Sequence, residues 1–181
     1  MYSLNEKVVY PGHGVAKINR IVEKNISNKT ATFYELKFLN KEMTILVPTD
    51  NFISVGIRKL SSDENINYIF QILSEPVKKI NSRELNSSSW NKRSKQYQFK
   101  LRSGDLLEIS KIYRDLQYIA QQKELSFGER ALLQQTEMLL AEEISLVKNL
   151  VEEKAVEQLR SFFNHKTQNL PVSQNSQRAY L

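Results

Sequence analysis

The chain has 181 residues, 40% of them apolar, and a formal net charge of +6, which is enough apolar content for one large or two small cores. It has no cysteine, which excludes a disulfide framework and any thiolate metal site. No run reaches the roughly 18 to 20 apolar residues that span a bilayer, and the start MYSLNEKVVY has neither the basic lead nor the apolar run of a signal peptide, so a soluble cytoplasmic protein without membrane contact is expected.

The first sixty residues read as strands. Lys7 to Tyr10, Val15 to Val22, Thr32 to Leu39, Met43 to Pro48 and Phe52 to Leu60 are rich in Val, Ile, Phe, Tyr and Thr with partial alternation. Turn chemistry fills the gaps: PGHG at 11–14, the polar loop NISNKT at 25–30, and Asn40-Lys41-Glu42. Five short strands in this length suggest a small antiparallel barrel.

From Ser61 the period changes to that of a helix. Ser61-x-x-Glu64 has the form of a capping box, and Ile66, Ile69, Phe70 and Leu73 follow at helical spacing until Pro76, which predicts a linking helix over 61–76. Residues 77–89 have few large apolar side chains and read as a hinge. Trp90 to Leu101 is helix-compatible up to Ser103-Gly104. Asp105-x-x-Glu108 then opens a helix with Leu106, Ile109, Ile112, Leu116 and Ile119 on one face. Ser126-x-x-Glu129 opens a third, longer helix, whose stripe runs Leu133, Leu140, Ile144, Val147 and Val151, with Leu132, Leu139, Leu146 and Leu150 beside it. Residues 167–181 are dominated by Gln, Asn and Ser and are expected to be a disordered tail. The predicted class is α+β, a β domain over 1–60 and a helical domain over 77–166.

The charge is not evenly spread. Between Lys78 and Arg102, eight basic residues stand against Glu84 alone, a net +7, so the other 156 residues carry −1. That is the electrostatic footprint of a nucleic-acid contact. The single tryptophan, Trp90, lies inside it. Its first reading is a core residue at a helix start with its indole N–H satisfied. Its second is a wedge: on a helix Arg93 and Tyr97 share its face while Lys92, Lys95 and Lys100 flank it, so cations could hold phosphates around an aromatic that enters a groove or stacks on an unpaired base.

Nothing in the sequence assembles an active site. The acidic pairs Glu142-Glu143 and Glu152-Glu153 are helix neighbours that point apart and read as a solvated face. His13 and His165 are at opposite ends of the chain, and neither a phosphate loop nor a dinucleotide fingerprint occurs. The expectation is a binding protein, not an enzyme, without metal or cofactor.

The motifs Val8-Val9-Tyr10-Pro11-Gly12-His13-Gly14-Val15, Val47-Pro48 and Val55-Gly56-Ile57-Arg58, then Trp90 with its basic neighbours, Gly104-Asp105, Arg114-Asp115-Leu116 and Leu125-Ser126-x-Gly128-Glu129-Arg130, resemble the CarD/CdnL family of bacterial transcription regulators over about residues 4–150. The N-terminal part is shared with the polymerase-interacting domain of transcription-repair coupling factor, whereas the basic Trp segment and the LSxGER helix start are the more specific signals. The resemblance implies a Tudor-like N-terminal barrel that binds the RNA polymerase β subunit, and a helical domain that sits on promoter DNA at the upstream edge of the bubble. It implies that Trp90 enters the minor groove there, with Lys95 and Arg130 on the DNA backbone and Arg93 and Lys92 nearby. A nucleoid-associated location follows from that role.

For the polymerase contact, Met43 to Pro48 is the candidate edge strand for β-augmentation, involving Met43, Ile45, Leu46, Val47 and Pro48, with Lys24 on a neighbouring strand end. If Ile45 and Val47 face the core, Leu46 faces out. Some members of the family carry arginine where this chain has Leu46. The expected state is a monomer. The rival readings are a freestanding, sequence-tolerant nucleic-acid module without polymerase contact, and a helical adaptor whose basic stretch meets an acidic protein through Trp90.

Overall fold

Alternating apolar residues in the first sixty positions build one antiparallel sheet, and the helical stripes that follow build a second core. The computed structural model describes residues 2–26, 29–75 and 87–164, with residues 87–89 described by backbone alone. The part of the predicted loop at 27–28, the hinge over 77–86 with Pro76, and the tail with His165 lie outside the described residues.

The strands are β1 (Lys7–Tyr10), β2 (Gly14–Ile26), β3 (Lys29–Phe38), β4 (Thr44–Pro48) and β5 (Arg58–Lys59), in the order β4-β3-β2-β1-β5. Every pairing is antiparallel. Val8, Ala16, Ile18, Tyr34, Leu36, Phe38 and Val47 project from the strands into one cluster, joined by Phe52 and Ile57. The predicted barrel does not close, because β4 and β5 are sheet edges and do not pair with each other. The reason lies in the predicted strand Phe52 to Leu60. A 3-10 turn at Thr49–Asn51 and a run of turns leave only the two residues Arg58–Lys59 extended. Phe52 and Ile57 are buried from those turns, so their apolar character marked core contact and not a strand. The register also shifts between Ile18 and Arg20 opposite β3, the signature of a bulge.

Five helices follow: α1 (Asp63–Ser74), α2 (Ser87–Ser103), α3 (Leu106–Gln122), α4 (Phe127–Lys148) and α5 (Glu152–Asn164). Ser62, not Ser61, caps α1, its side chain accepting from the Asn65 N–H. Asp105 caps α3 by accepting from the Leu107 N–H, while Glu108 pairs with Lys100 and Lys111 and takes no part in the cap. The single long helix expected through Val151 is two helices. Asn149, with φ +51°, ends α4 in the left-handed conformation that Asn tolerates, and α5 turns back onto α4. Leu150 and Val151 are therefore exposed, and Ala155, Leu159 and Phe163 of α5 complete the core with Ile66, Ile69 and Leu73 of α1, Leu101, Ile112, Leu116, Leu140 and Ile144.

The acidic pair Glu142-Glu143 is not on a solvated face. Glu143 is buried and receives Arg58 in bidentate fashion at 2.7 and 2.8 Å, and the Ser61 N–H at 2.7 Å. Arg58 also donates through Nε to the Gly104 carbonyl at 2.9 Å. One guanidinium thus joins β5, the α2–α3 turn and α4. Gly104, at φ +69°, lies against the Pro11 ring, where a Cβ would come within 3.0 Å of Pro11 Cγ. Glu142 packs on Gly14, where a Cβ would collide with its Oε2. Helix periodicity marked residues 142–143 as outward from the helical core. What it could not carry is that the sheet domain docks on that outward face.

Candidate nucleic-acid interface

Helix α2 has two unlike sides. Trp90, Arg93, Tyr97 and Leu101 recur at spacings of three and four and turn inward, with Tyr97 and Leu101 buried and Trp90 half-buried against the helical core. Lys92, Lys95, Gln96, Phe99 and Arg102 turn outward and are exposed, Phe99 at 78%. Trp90 thus packs on the core, as its first reading expects, and part of its indole stays at the surface.

The start of α4 fixes α2 in place. Ser126 and Glu129 form a complete capping box, the Ser126 hydroxyl accepting from the Glu129 N–H and the Glu129 carboxylate accepting from the Ser126 N–H. The same carboxylate, 1% exposed, binds Arg93 at 3.1 Å and Lys123 at 2.9 Å. Burial would raise the Glu129 pKa, but Lys123 and the Ser126 bonds outweigh it and hold the carboxyl below its ordinary value. The Arg93 guanidinium lies 5.9 Å from the Trp90 ring centroid, within cation–π range. On its other side Trp90 meets Gly128, where a Cβ would lie 3.2 Å from the indole Cζ2. Burial, with the nearby Asp115, pushes the Tyr97 hydroxyl up, burial likewise raises Asp115, and the phenol donates to the Asp115 carboxylate at 3.5 Å.

The structure sorts the predicted DNA-binding residues into two groups. Lys92 and Lys95 face solvent, with no ion-pair partner among the described residues. Arg130 is exposed too, its closest carboxylate being Glu124 at 3.9 Å. Arg93 points inward and is an anchor. The amides at the start of α4 are partly occupied by the helix's own capping box, and the Arg130 side chain beside them is exposed. Sequence reasoning missed Glu129 as the buried hub, although the LSxGER motif contains it, and missed Phe99 and Phe127, which is 84% exposed at the first position of α4.

At the other candidate surface, β4 is an edge strand paired only to β3. Val47 is buried and Ile45 half-buried, whereas Leu46 is 36% exposed. Met43 and Pro48 are half-buried at the two ends of the strand, and Lys24 is exposed on β2 opposite Ala31. The register places Lys24 beyond the last β3–β4 rung, Phe33 with Pro48, so it flanks the edge and does not form part of it. Among the described residues no group of three or more His, Asp or Glu side chains could hold a metal ion, and no helix is long and apolar enough to cross a membrane.

Comparison with known proteins gives two family-model matches that tile the chain. Residues 2–61 match the CarD-like/TRCF RID domain and residues 69–160 the CarD C-terminal domain. The chain is similar to a Bacillus subtilis protein named "Putative transcription factor YdeB", with 26% identity over 162 residues that cover 90% of this chain and 99% of that one. A solution structure of the 72-residue N-terminal domain of Myxococcus xanthus CarD aligns with 33% of this chain and 79% of that one, at 25% identity and a TM-score of 0.29. With one family model covering half of the chain and the other nearly all of its sheet domain, the chain belongs to the CarD/CdnL family of bacterial transcription regulators.

Proposed function

We propose that this protein binds the β subunit of RNA polymerase through its sheet domain and sets the α2–α4 end of its helical domain on promoter DNA at the upstream edge of the bubble, stabilising the open complex. The observation that carries this reading is that Lys92 and Lys95 stand exposed on the outward face of α2, the helix that keeps part of the Trp90 indole at the surface, with Arg130 exposed on the neighbouring helix. Lys92, Lys95 and Arg130 contact phosphates, Trp90 provides the aromatic wedge, and Arg93 holds the wedge through Glu129.

The polymerase contact is β-augmentation at β4, in which free main-chain groups supply affinity and Leu46 an apolar contact where other members use arginine. Tethering raises the local concentration at the promoter, so weak and sequence-tolerant DNA contacts suffice. If these contacts form with opened DNA and not with closed duplex, the equilibrium shifts by the difference in affinity alone. About 1.4 kcal/mol changes the open-to-closed ratio tenfold. No chemical step by the protein is needed.

The test is the lifetime of promoter open complexes with the cognate holoenzyme, measured without the protein, with it, and with Trp90→Ala. The native protein should lengthen the lifetime and the variant lose most of that effect while still binding polymerase. An unchanged lifetime with the native protein would overturn the reading.

A further inference from the structure

Glu142 and Glu143 are neighbours on α4, and both are buried, at 8% and 1% exposure. Glu143 receives Arg58 and the Ser61 N–H. Glu142 has no ion-pair partner among the described residues, and its carboxylate takes a hydrogen bond from the Val15 backbone N–H alone. That carboxylate borders a cleft of about 260 Å³ between the two domains. Gly12, His13, Asn40 and Lys41 form its sheet side, and α4 with the start of α5 forms the other. We propose that this cleft binds a short aliphatic diamine in its diammonium form, with one ammonium on Glu142 and the other on Glu152.

Charge, shape and the partners already taken all point to this class. A buried carboxylate is strongly disfavoured unless a cation stands beside it. Burial pushes Glu142 up to about 7, and Lys41 opposes that shift, but the Lys41 ammonium donates to the His13 carbonyl at 2.8 Å. Glu152 lines the same cleft. Asn40 donates to its Oε2 at 2.7 Å, which leaves Oε1 with no hydrogen-bond partner among the described residues. Met138 and Leu139 add an apolar wall that suits a methylene stem. The Gln134 and Gln135 side chains, unpartnered among the described residues, can accept further ammonium protons. Two carboxylates stand against Lys41 alone, so with His13 neutral the lining is negative on a chain whose net charge is +6. The protein as a whole repels a diammonium, and binding would therefore report a local site. A free amino acid would bring its own carboxylate against this negative lining, with Lys41 already engaged. A diamine seated here touches both domains, so it stabilises their docked arrangement by mass action.

Binding is independent of DNA and polymerase and is measured on the full-length protein by calorimetric titration at low salt. The probes are putrescine, a four-carbon diamine, butylamine, its monoamine counterpart, and a four-carbon diol. At about pH 8 Glu142 is largely ionised and an alkylammonium is still protonated. Putrescine should bind, butylamine about two- to fivefold more weakly because it lacks the contact to the more exposed Glu152, and the diol not at all. Glu142→Gln should weaken putrescine binding roughly ten- to a hundredfold, the loss of a charged hydrogen bond, and Glu152→Gln about two- to fivefold. Glu153→Gln, an exposed charge outside the lining, should leave the affinity unchanged. Denaturation curves check the fold of each variant, and Glu142→Gln relieves a buried charge, which separates lost binding from lost structure. Affinity that survives Glu142→Gln, equal affinity for the diamine and the monoamine, or no saturable binding of putrescine at millimolar concentration overturns the site.

Discussion

The two ends of α4 hold the same device in different surroundings. Near the start, buried Glu129 binds Arg93 from α2; fourteen residues on, buried Glu143 binds Arg58 from β5. At 1.5 Å per residue these anchors are about 21 Å apart along one helix. The first ties down the helix that carries Trp90, and the second ties down the sheet domain. Glu129 has a local role in its own capping box, so its carboxylate is partly satisfied without Arg93. Glu143 has no such local partner, and its bonds to Arg58 and Ser61 all come from outside α4. Helix α4 is thus the spine between the surface that docks the sheet domain and the surface that carries Trp90, and its two anchors should fail differently.

The largest effect is expected from Arg58→Ala. It leaves Glu143 charged, buried and without its cation, which should cost about 3–5 kcal/mol in chemical denaturation. Trp90 emission in the folded variant should not change, because the start of α4, against which Trp90 packs, is untouched. A shifted emission would mean that the two ends are not separable.

Glu129→Ala removes the N3 half of the capping box together with the partner of Arg93 and Lys123. A loss of about 3 kcal/mol is expected, somewhat below that of Arg58→Ala, because Arg93 and Lys123 are closer to solvent than Glu143 and can rehydrate. Here Trp90 emission should shift to the red as α2 loosens. If it stays fixed while stability falls, Arg93 does not position the indole.

Between the two anchors, Glu142 gives the sheet contact a pH dependence. Burial pushes it up to about 7; the Val15 backbone N–H and Lys41 oppose the shift, and Glu152 and Glu143 add to it. The folded value exceeds the unfolded one, so its contribution is fully present below the ordinary carboxylate value near 4.5 and is lost as pH rises through about 7. Glu142→Gln should therefore gain on the native protein between pH 5 and 8, by at most about 3 kcal/mol at the upper end. Denaturation midpoints across that range give the answer, and parallel pH curves for the two proteins would show that Glu142 does not titrate there.

The smallest change is Gly128→Ala. The added methyl approaches the Trp90 indole at 3.2 Å, so the ring must give by a few tenths of an ångström, while alanine in a helix gains roughly 0.5–1 kcal/mol over glycine. Net stability should stay within about 0.5 kcal/mol, with a measurable change in Trp90 emission. A large destabilisation would show that the α2–α4 seam is more tightly packed than the half-buried Trp90 suggests.

Periodicity and composition alone set out much of this protein. Alternation over residues 7–48 specified β1 to β4, because a half-buried sheet requires an apolar side chain at every second position. The cap at Ser126 and the stripe of α3 marked helix starts and faces, since caps and stripes are local interactions. The charge count and Trp90 singled out α2 as the candidate nucleic-acid segment, and the alternation in β4 put Leu46 outside. Tertiary structure decided the rest. The strand expected over 52–60 became turns because Phe52 and Ile57 reach the core without extended backbone. The helix expected through Val151 broke at Asn149 because α5 has its own core to fill, with Leu159 and Phe163. Arg93, expected near the DNA, is bound to Glu129, and Glu143, expected on a solvated face, is the seat of Arg58, because a charged side chain's role depends on what folds against it, and those partners lie 36 and 85 positions away in the chain.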